Sequence, residues 1–263
     1  MISPGTLAAV RTELGRIRTN PTDTLLMLAF NSAMVLVLWF ALPRTWFFTF
    51  TGPEGLPYAL AGWMYADVCA TNVLAPDRER VLSSLDDPRA FAELLRSKAL
   101  GLWLLVGPAC ATLAIIISLV WNRSWQFTTE VVLAVAVVPL GALAMTSLVG
   151  IMFPYHLRSL RWRWEHRRQF KQVILRWLVL LVLPYTLYPV AFGLIVALPV
   201  TIWRLSRRLG WDRDLSTIDF LVCVTMAVII TALMWTLAHR FAVGWVRRHR
   251  ERVREYLLDV ERG

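Results

Sequence analysis

Few side chains in this sequence are of types that do chemistry, and their spacing narrows that chemistry further. The two lysines, Lys98 and Lys171, are followed by Ala99 and Gln172. The sequence therefore lacks the Gly-x-x-x-x-Gly-Lys-Ser/Thr loop whose backbone cradles phosphate, and with it ATP hydrolysis by that route. The four histidines, His156, His166, His239 and His249, lie in basic segments. None forms the i, i+4 pair around a glutamate that places two zinc ligands on one helix face. No Gly-x-Ser-x-Gly elbow is present to expose a nucleophilic serine. The three cysteines, Cys69, Cys110 and Cys223, sit inside apolar runs, which is not the pattern of a disulfide framework. One acid, Asp67, falls well inside an apolar run, with Asn72 just beyond it. A carboxylate at mid-membrane costs about 2.5–3.5 kcal/mol on insertion scales, so it must face a helix bundle or water. Two roles follow for this pair. They are a polar patch on a translocation path, or a structural hydrogen bond to a tyrosine or another helix. No cofactor or metal site is implied.

The elements that must carry these residues are long and apolar. The chain has 263 residues, 57% of them hydrophobic and 17% charged, whereas soluble domains average about 45–50% and 25%. Spanning a bilayer core of about 30 Å takes about 20 helical residues. Six runs reach or approach that length, at 24–42, 56–75, 99–121, 131–153, 177–203 and 220–237. The first follows Pro21, Thr22 and Asp23, a helix-start signal, and no cleavable leader precedes it, so it is expected to remain as an anchor. The fifth carries Pro184, Pro189 and Pro199 and is expected to tilt or kink. The expected fold is an all-α integral membrane protein, one permease-like domain over residues 1–263 without a soluble core.

Charge gives the orientation. Lys plus Arg number 28 against 18 Asp plus Glu, a net charge of +10. Six crossings put 22 basic residues on the side of the termini and six opposite: Arg44, Arg123, Arg204, Arg207, Arg208 and Arg213. The positive-inside rule then makes both termini cytoplasmic. If 56–75 did not cross, the split would be 20 to 8 with the N-terminus outside; the length of that run, with its single charge, favours crossing. The basic residues lie in clusters between apolar runs, so the charge is an orientation signal and not a nucleic-acid footprint. Tryptophans near the expected boundaries, among them Trp39, Trp121, Trp125 and Trp203, fit an interfacial belt.

The loop after the second run is the most specific segment. Asp87 can cap a helix that begins at Pro88, where a missing N–H is no loss. Phe91, Leu94 and Leu95 then share one face, as do Val81, Leu82 and Leu85 just before. Short amphipathic helices are expected here, lying on lipid headgroups or docking a soluble partner.

This loop resembles type 2 ABC transporter permeases. The resemblance rests on Asn72, the Asp77-Arg78 step and the run Pro88-Arg89-Ala-Phe91-Ala-Glu93-Leu94-Leu95-Arg-Ser-Lys98. It continues in Ser147 to Phe153-Pro154-Tyr155, in an amphipathic N-terminal segment from Leu7 to Ile17, and in the basic stretch from Arg247 to Leu258. It covers nearly the whole chain by order and spacing rather than by one diagnostic motif.

The resemblance implies the membrane subunit of an ABC exporter in a bacterial inner (plasma) membrane, moving a drug, antibiotic or lipid outward. The implied partners are a second permease, identical or related, and a separate ATPase subunit that binds the ATP and Mg. It also implies that Asp87, Pro88, Arg89, Phe91, Leu94 and Leu95 form the coupling contact, with Phe91 as apolar anchor. Arg204 to Ile218 departs from the family, being too short for the re-entrant segments many relatives carry before the last span. Two rivals stand beside this reading: a non-transporting membrane scaffold or sensor, and an intramembrane enzyme, for which the sequence offers no convergent polar cluster.

Overall fold

The computed structural model describes residues 4–19, 21, 24–41, 55–67, 71–156, 165, 171–208 and 215–259. Among these, helix is the regular structure and no strand occurs. The helices are α1 (Pro4–Thr19), α2 (Leu25–Ala41), α3 (Gly55–Ala66), α4 (Arg78–Ser84) and α5 (Pro88–Val120). There follow α6 (Trp125–Val132), α7 (Val138–Met152), α8 (Lys171–Phe192), α9 (Leu198–Ser206), α10 (Thr217–Arg248) and α11 (Arg250–Leu258). Four stretches are long and apolar enough to cross a membrane: Pro88–Val120, Trp125–Met152, Leu178–Ser206 and Thr217–Arg248. Outward surfaces of these and of the shorter α2 are apolar. Phe30, Val37 and Phe40 of α2, Ile116 and Leu119 of α5, and Ile229, Leu233 and Leu237 of α10 are exposed. So wide an apolar exterior suits lipid and not water.

The two remaining expected crossings are shorter. The first is α2, with 17 residues. The second, expected over 56–75, is α3, with 12 residues and a bend at Asp67. At 1.5 Å per residue α3 is about 18 Å long, well under the bilayer core.

Of the three prolines expected to tilt or kink the fifth run, Pro184 and Pro189 lie inside α8 and Pro199 follows a π-helical turn, Gly193–Ala197. Pro139, which drew no such expectation, follows another, Leu133–Val137. A proline cannot bond the carbonyl four residues back, and its ring crowds that carbonyl. The wider π turn relieves the crowding without breaking the helix. Trp103 Nε1, from α5, donates to the carbonyl of Ala136 inside the turn at Leu133–Val137.

Among the described residues the core falls into four apolar clusters, two of them large. One packs Val35, Trp39, Tyr65, Val106, Cys110 and Val135. The other lies at the basic end and joins Leu74, Val81, Phe91, Leu94, Val246 and Leu257. The expected short coupling helix and the third crossing are one helix. Α5 runs unbroken for 33 residues, about 50 Å. Α10 runs for 32 residues, about 48 Å. The start of α5 and the end of α10 meet at the same end of the bundle, where Val253 and Leu257 of α11 pack against both.

Candidate functional site

The basic end of the bundle is built by caps and charges. Asp87 takes the main-chain N–H of Arg89 at 2.8 Å, with Pro88 at the first helical position, so the helix starts where the sequence places it. Asp86, Asp87, Pro88 and Arg89 are exposed and form a tip. Asp86 is gripped by Arg250 at 3.0 Å and by Arg254 at 2.8 Å, which fastens α11 to that tip.

The apolar seam of the same helix faces inward. Phe91, Leu94 and Leu95 are 2–3% exposed and pack against Val81, Val246, Val253 and Leu257 of their own chain. Phe91 is therefore not a protruding anchor. Periodicity correctly put these three residues on one face, but α10 and α11 cover it. Of the six expected coupling residues, only Asp87, Pro88 and Arg89 are open to a partner.

Asp67 and Asn72 do not form one site. Asn31 Nδ2, on α2, donates to Asp67 Oδ2 at 2.6 Å, a bond between the first two apolar helices. Asn72 is buried, and its amide is taken by the main chain of Tyr155: Nδ2 donates to the carbonyl at 2.7 Å, and Oδ1 accepts from the N–H at 3.5 Å. Asn72 thus satisfies a backbone left open where α7 ends and the Phe153-Pro154 turn begins. Beside it, His156 Nε2 lies 2.9 Å from the Tyr256 carbonyl, and the His156 ring stacks on that of Tyr256. This joins the end of α7 to α11.

Beneath α1 lies an ionic network that the reading of the sequence did not include. Glu13, 2% exposed, takes Arg16 Nη2 at 2.7 Å on one oxygen and Arg80 Nη1 at 2.8 Å on the other. Asp77 lies 3.1 Å from Lys98 Nζ, with Arg16 and Arg80 at 3.6 and 3.7 Å. Burial alone would raise the Asp77 carboxyl, but the Lys98 ammonium, aided by Arg16 and Arg80, outweighs it and holds the group below its ordinary range. Α1 comes close enough for this because Gly101 lies beneath it, where a Cβ would stand 3.2 Å from Glu13 Cγ. Glu13 and Arg16 could have suggested a pair at i, i+3. Their partners Arg80 and Lys98 are too distant in sequence for any local pattern to reveal.

Among the described residues no three of His, Cys, Asp and Glu converge on a point. Cys110 and Cys223 are buried thiols, and Cys69, His166 and most of the basic loop from Arg158 to Arg168 lie outside the described residues. The chain matches no protein-family model, no curated protein and no solved structure.

Proposed function

We propose that this chain is the membrane subunit of an exporter of the type 2 ABC kind, paired with a second permease and driven by a separate ATPase. Its cargo is a hydrophobic or amphipathic small molecule. In this reading α2, α3, α5, α6–α7, α8–α9 and α10 are six crossings, and both termini and the basic end are cytoplasmic. Α3, at 12 residues, crosses only together with residues beyond its ends.

The observation that carries the reading is the continuity of α5. Its capped tip at Asp87–Arg89 is exposed, and its later turns, through Val106, Cys110 and Ala114, are buried in the apolar bundle. Pro108 lies inside α5 without ending it, so a partner that moves the tip moves the turns from Pro88 to Pro108 as one lever into the crossing. The grip of Arg250 and Arg254 on Asp86 adds α11 to the moving body. The coupling contact is thus Asp87, Pro88 and Arg89, with Phe91, Leu94 and Leu95 as its internal support.

Purification from the native membrane in mild detergent tests this reading. A co-purifying chain with ATP hydrolysis activity is expected, and Arg89→Glu should lower the retained activity while the protein elutes unchanged. A chain that comes free of any ATPase sinks the reading. It would favour a non-transporting scaffold, for which the sealing of the Phe91 seam is the supporting observation.

A further inference from the structure

A cavity of about 220 Å³ opens where three of the four membrane-length stretches meet. It lies near the start of Trp125–Met152, the end of Leu178–Ser206 and the start of Thr217–Arg248. The two π-helical turns described above both reach it, one through Leu133 and the other through Val196. Such turns widen a helix locally and recur at functional sites. Leu133 and Ala227 are buried in the apolar cluster behind the cavity. Val196, Val200 and Val224 are half-buried, so these walls are open to contact.

Charge of both signs stands on this one cavity. Glu130 of α6 and Arg204 of α9 line it together with the apolar walls. Leu133 lies a turn further into its stretch than Glu130, and Val200 and Val196 lie one and two turns further in than Arg204. On both stretches the charge is therefore nearer the end and the apolar wall is deeper. Glu130 is exposed, and its side chain makes no ion pair or hydrogen bond among the described residues. A carboxylate on an apolar crossing is costly unless a cation meets it. Tryptophans mark this end as well. Trp125 stands edge-on to Phe220 at 5.5 Å, and Trp203 Nε1 donates to Asp219 at 2.9 Å. Indole rings with one wet end and one apolar face sit at the level of lipid headgroups.

We propose that this cavity is a binding site for a primary-amine phospholipid of the phosphatidylethanolamine class. The ammonium meets Glu130, the phosphate meets Arg204, and the start of one acyl chain lies along Val196, Val200 and Val224. A dry cavity of about 150 Å³ accepts a benzene ring, so this one has room for headgroup atoms and the first methylenes, with the rest of the chain left to the bilayer. An acid and a base on one apolar cavity fit a zwitterion better than an anionic lipid or a simple cation. Either of those sets one protein charge against its own sign. The proposal goes beyond the exporter reading and needs only that these stretches cross a membrane, whichever way they face.

The test uses the full chain, stripped of lipid in detergent and titrated with dioleoyl phosphatidylethanolamine, phosphatidylcholine or phosphatidylglycerol. Native mass spectrometry counts the bound lipid. The ethanolamine lipid is expected to bind about tenfold more tightly than the other two. Choline lacks the N–H donors that reach Glu130, and glycerol carries no cation. Glu130→Gln, an exposed and nearly isosteric change, should remove that preference. Arg204→Gln should weaken the ethanolamine and glycerol lipids alike by about tenfold, and Val224→Trp, which fills the cavity, should weaken all three. Circular dichroism and elution volume check each variant, and Glu130→Gln keeps the test decisive if the tryptophan disturbs packing. Equal binding of the three lipids by the parent chain overturns the proposal, as does a preference that survives Glu130→Gln. So does displacement by equimolar dodecylamine with Arg204→Gln without effect, since that marks a site for a cation alone. Lipid binding is read without any ATPase, so it can succeed where the co-purification test fails, and the reverse.

Discussion

Gly150 of α7 lies directly against the main-chain carbonyl of Thr71, so closely that a β-carbon at residue 150 would overlap the oxygen. The contact brings the segment after α3 onto the flank of α7, and the Asn72 amide, one residue on, then reaches the Tyr155 backbone. Two stretches more than 70 residues apart are thereby locked main chain to main chain.

Gly150→Ala should consequently act as a backbone displacement and not as a mild helix-stabilising change. In an exposed helix the substitution gains about 1 kcal/mol; here it is expected to cost about 2–3 kcal/mol through overpacking. Thermal unfolding in detergent would show a lowered midpoint, and Asn72→Ala should lower it too. A Gly150→Ala protein as stable as the parent would mean that the two backbones are not in contact.

The network beneath α1 should respond to its charges singly. Glu13→Ala leaves Arg16 and Arg80 without their shared carboxylate in a largely buried setting, and is expected to destabilise by about 2–3 kcal/mol. Protease cleavage within α1 should appear before the bundle unfolds. Unchanged protection of α1 would assign its docking to Val10 and Ile17 alone.

Acid should loosen the same network. The folded state holds the Asp77 carboxyl below its ordinary value, so its contribution is complete above the unfolded pKa, about 4, and is lost as pH falls through the lower folded value. Docking of α1 is thus expected to be flat across neutral pH and to weaken only in strong acid. Asp77→Asn should remove that acid dependence, which a proteolysis series against pH would reveal.

The Asn31–Asp67 bond predicts a graded result. Asp67→Asn keeps a polar group beside Asn31 and should leave the fold intact, whereas Asp67→Ala leaves the Asn31 amide unsatisfied and costs about 1–3 kcal/mol. If Asp67→Asn folds normally but abolishes the export proposed above, the carboxylate acts through its charge, and a purely structural role is excluded.

Orientation is tested by labelling. Arg89→Cys at the tip should react with an impermeant maleimide only from the cytoplasmic side, and Ser124→Cys, at the start of α6, only from outside. Labelling of both from one side would reject the crossing pattern.

Much of this architecture was written locally in the chain. The apolar runs predict helices, and Asp87-Pro88 predicts where α5 begins. Both depend on neighbours within a turn: a carboxylate for a free N–H, and a ring that needs none. The 3.6-residue spacing likewise placed Phe91, Leu94 and Leu95 on one face. Local pattern read a short helix from Pro88 and an apolar run from Ala99 as two elements, because Lys98 looks like the edge of that run. No residue between Pro88 and Lys98 stops a helix, and α5 runs through.

What covers an apolar face is a different kind of information. Spacing states that Phe91, Leu94 and Leu95 must leave water, and burial by lipid, by another protein or by α10 and α11 satisfies that equally. Only tertiary structure selected the last. The same holds for Lys98 meeting Asp77, Asn72 meeting the Tyr155 backbone, and Gly150 meeting the Thr71 carbonyl. Such contacts depend on distance and direction between elements far apart in the chain, while propensity and periodicity act over a few residues. The sequence alone thus settled which segments are helical and apolar, and the packing of those helices decided which of their polar and charged groups meet.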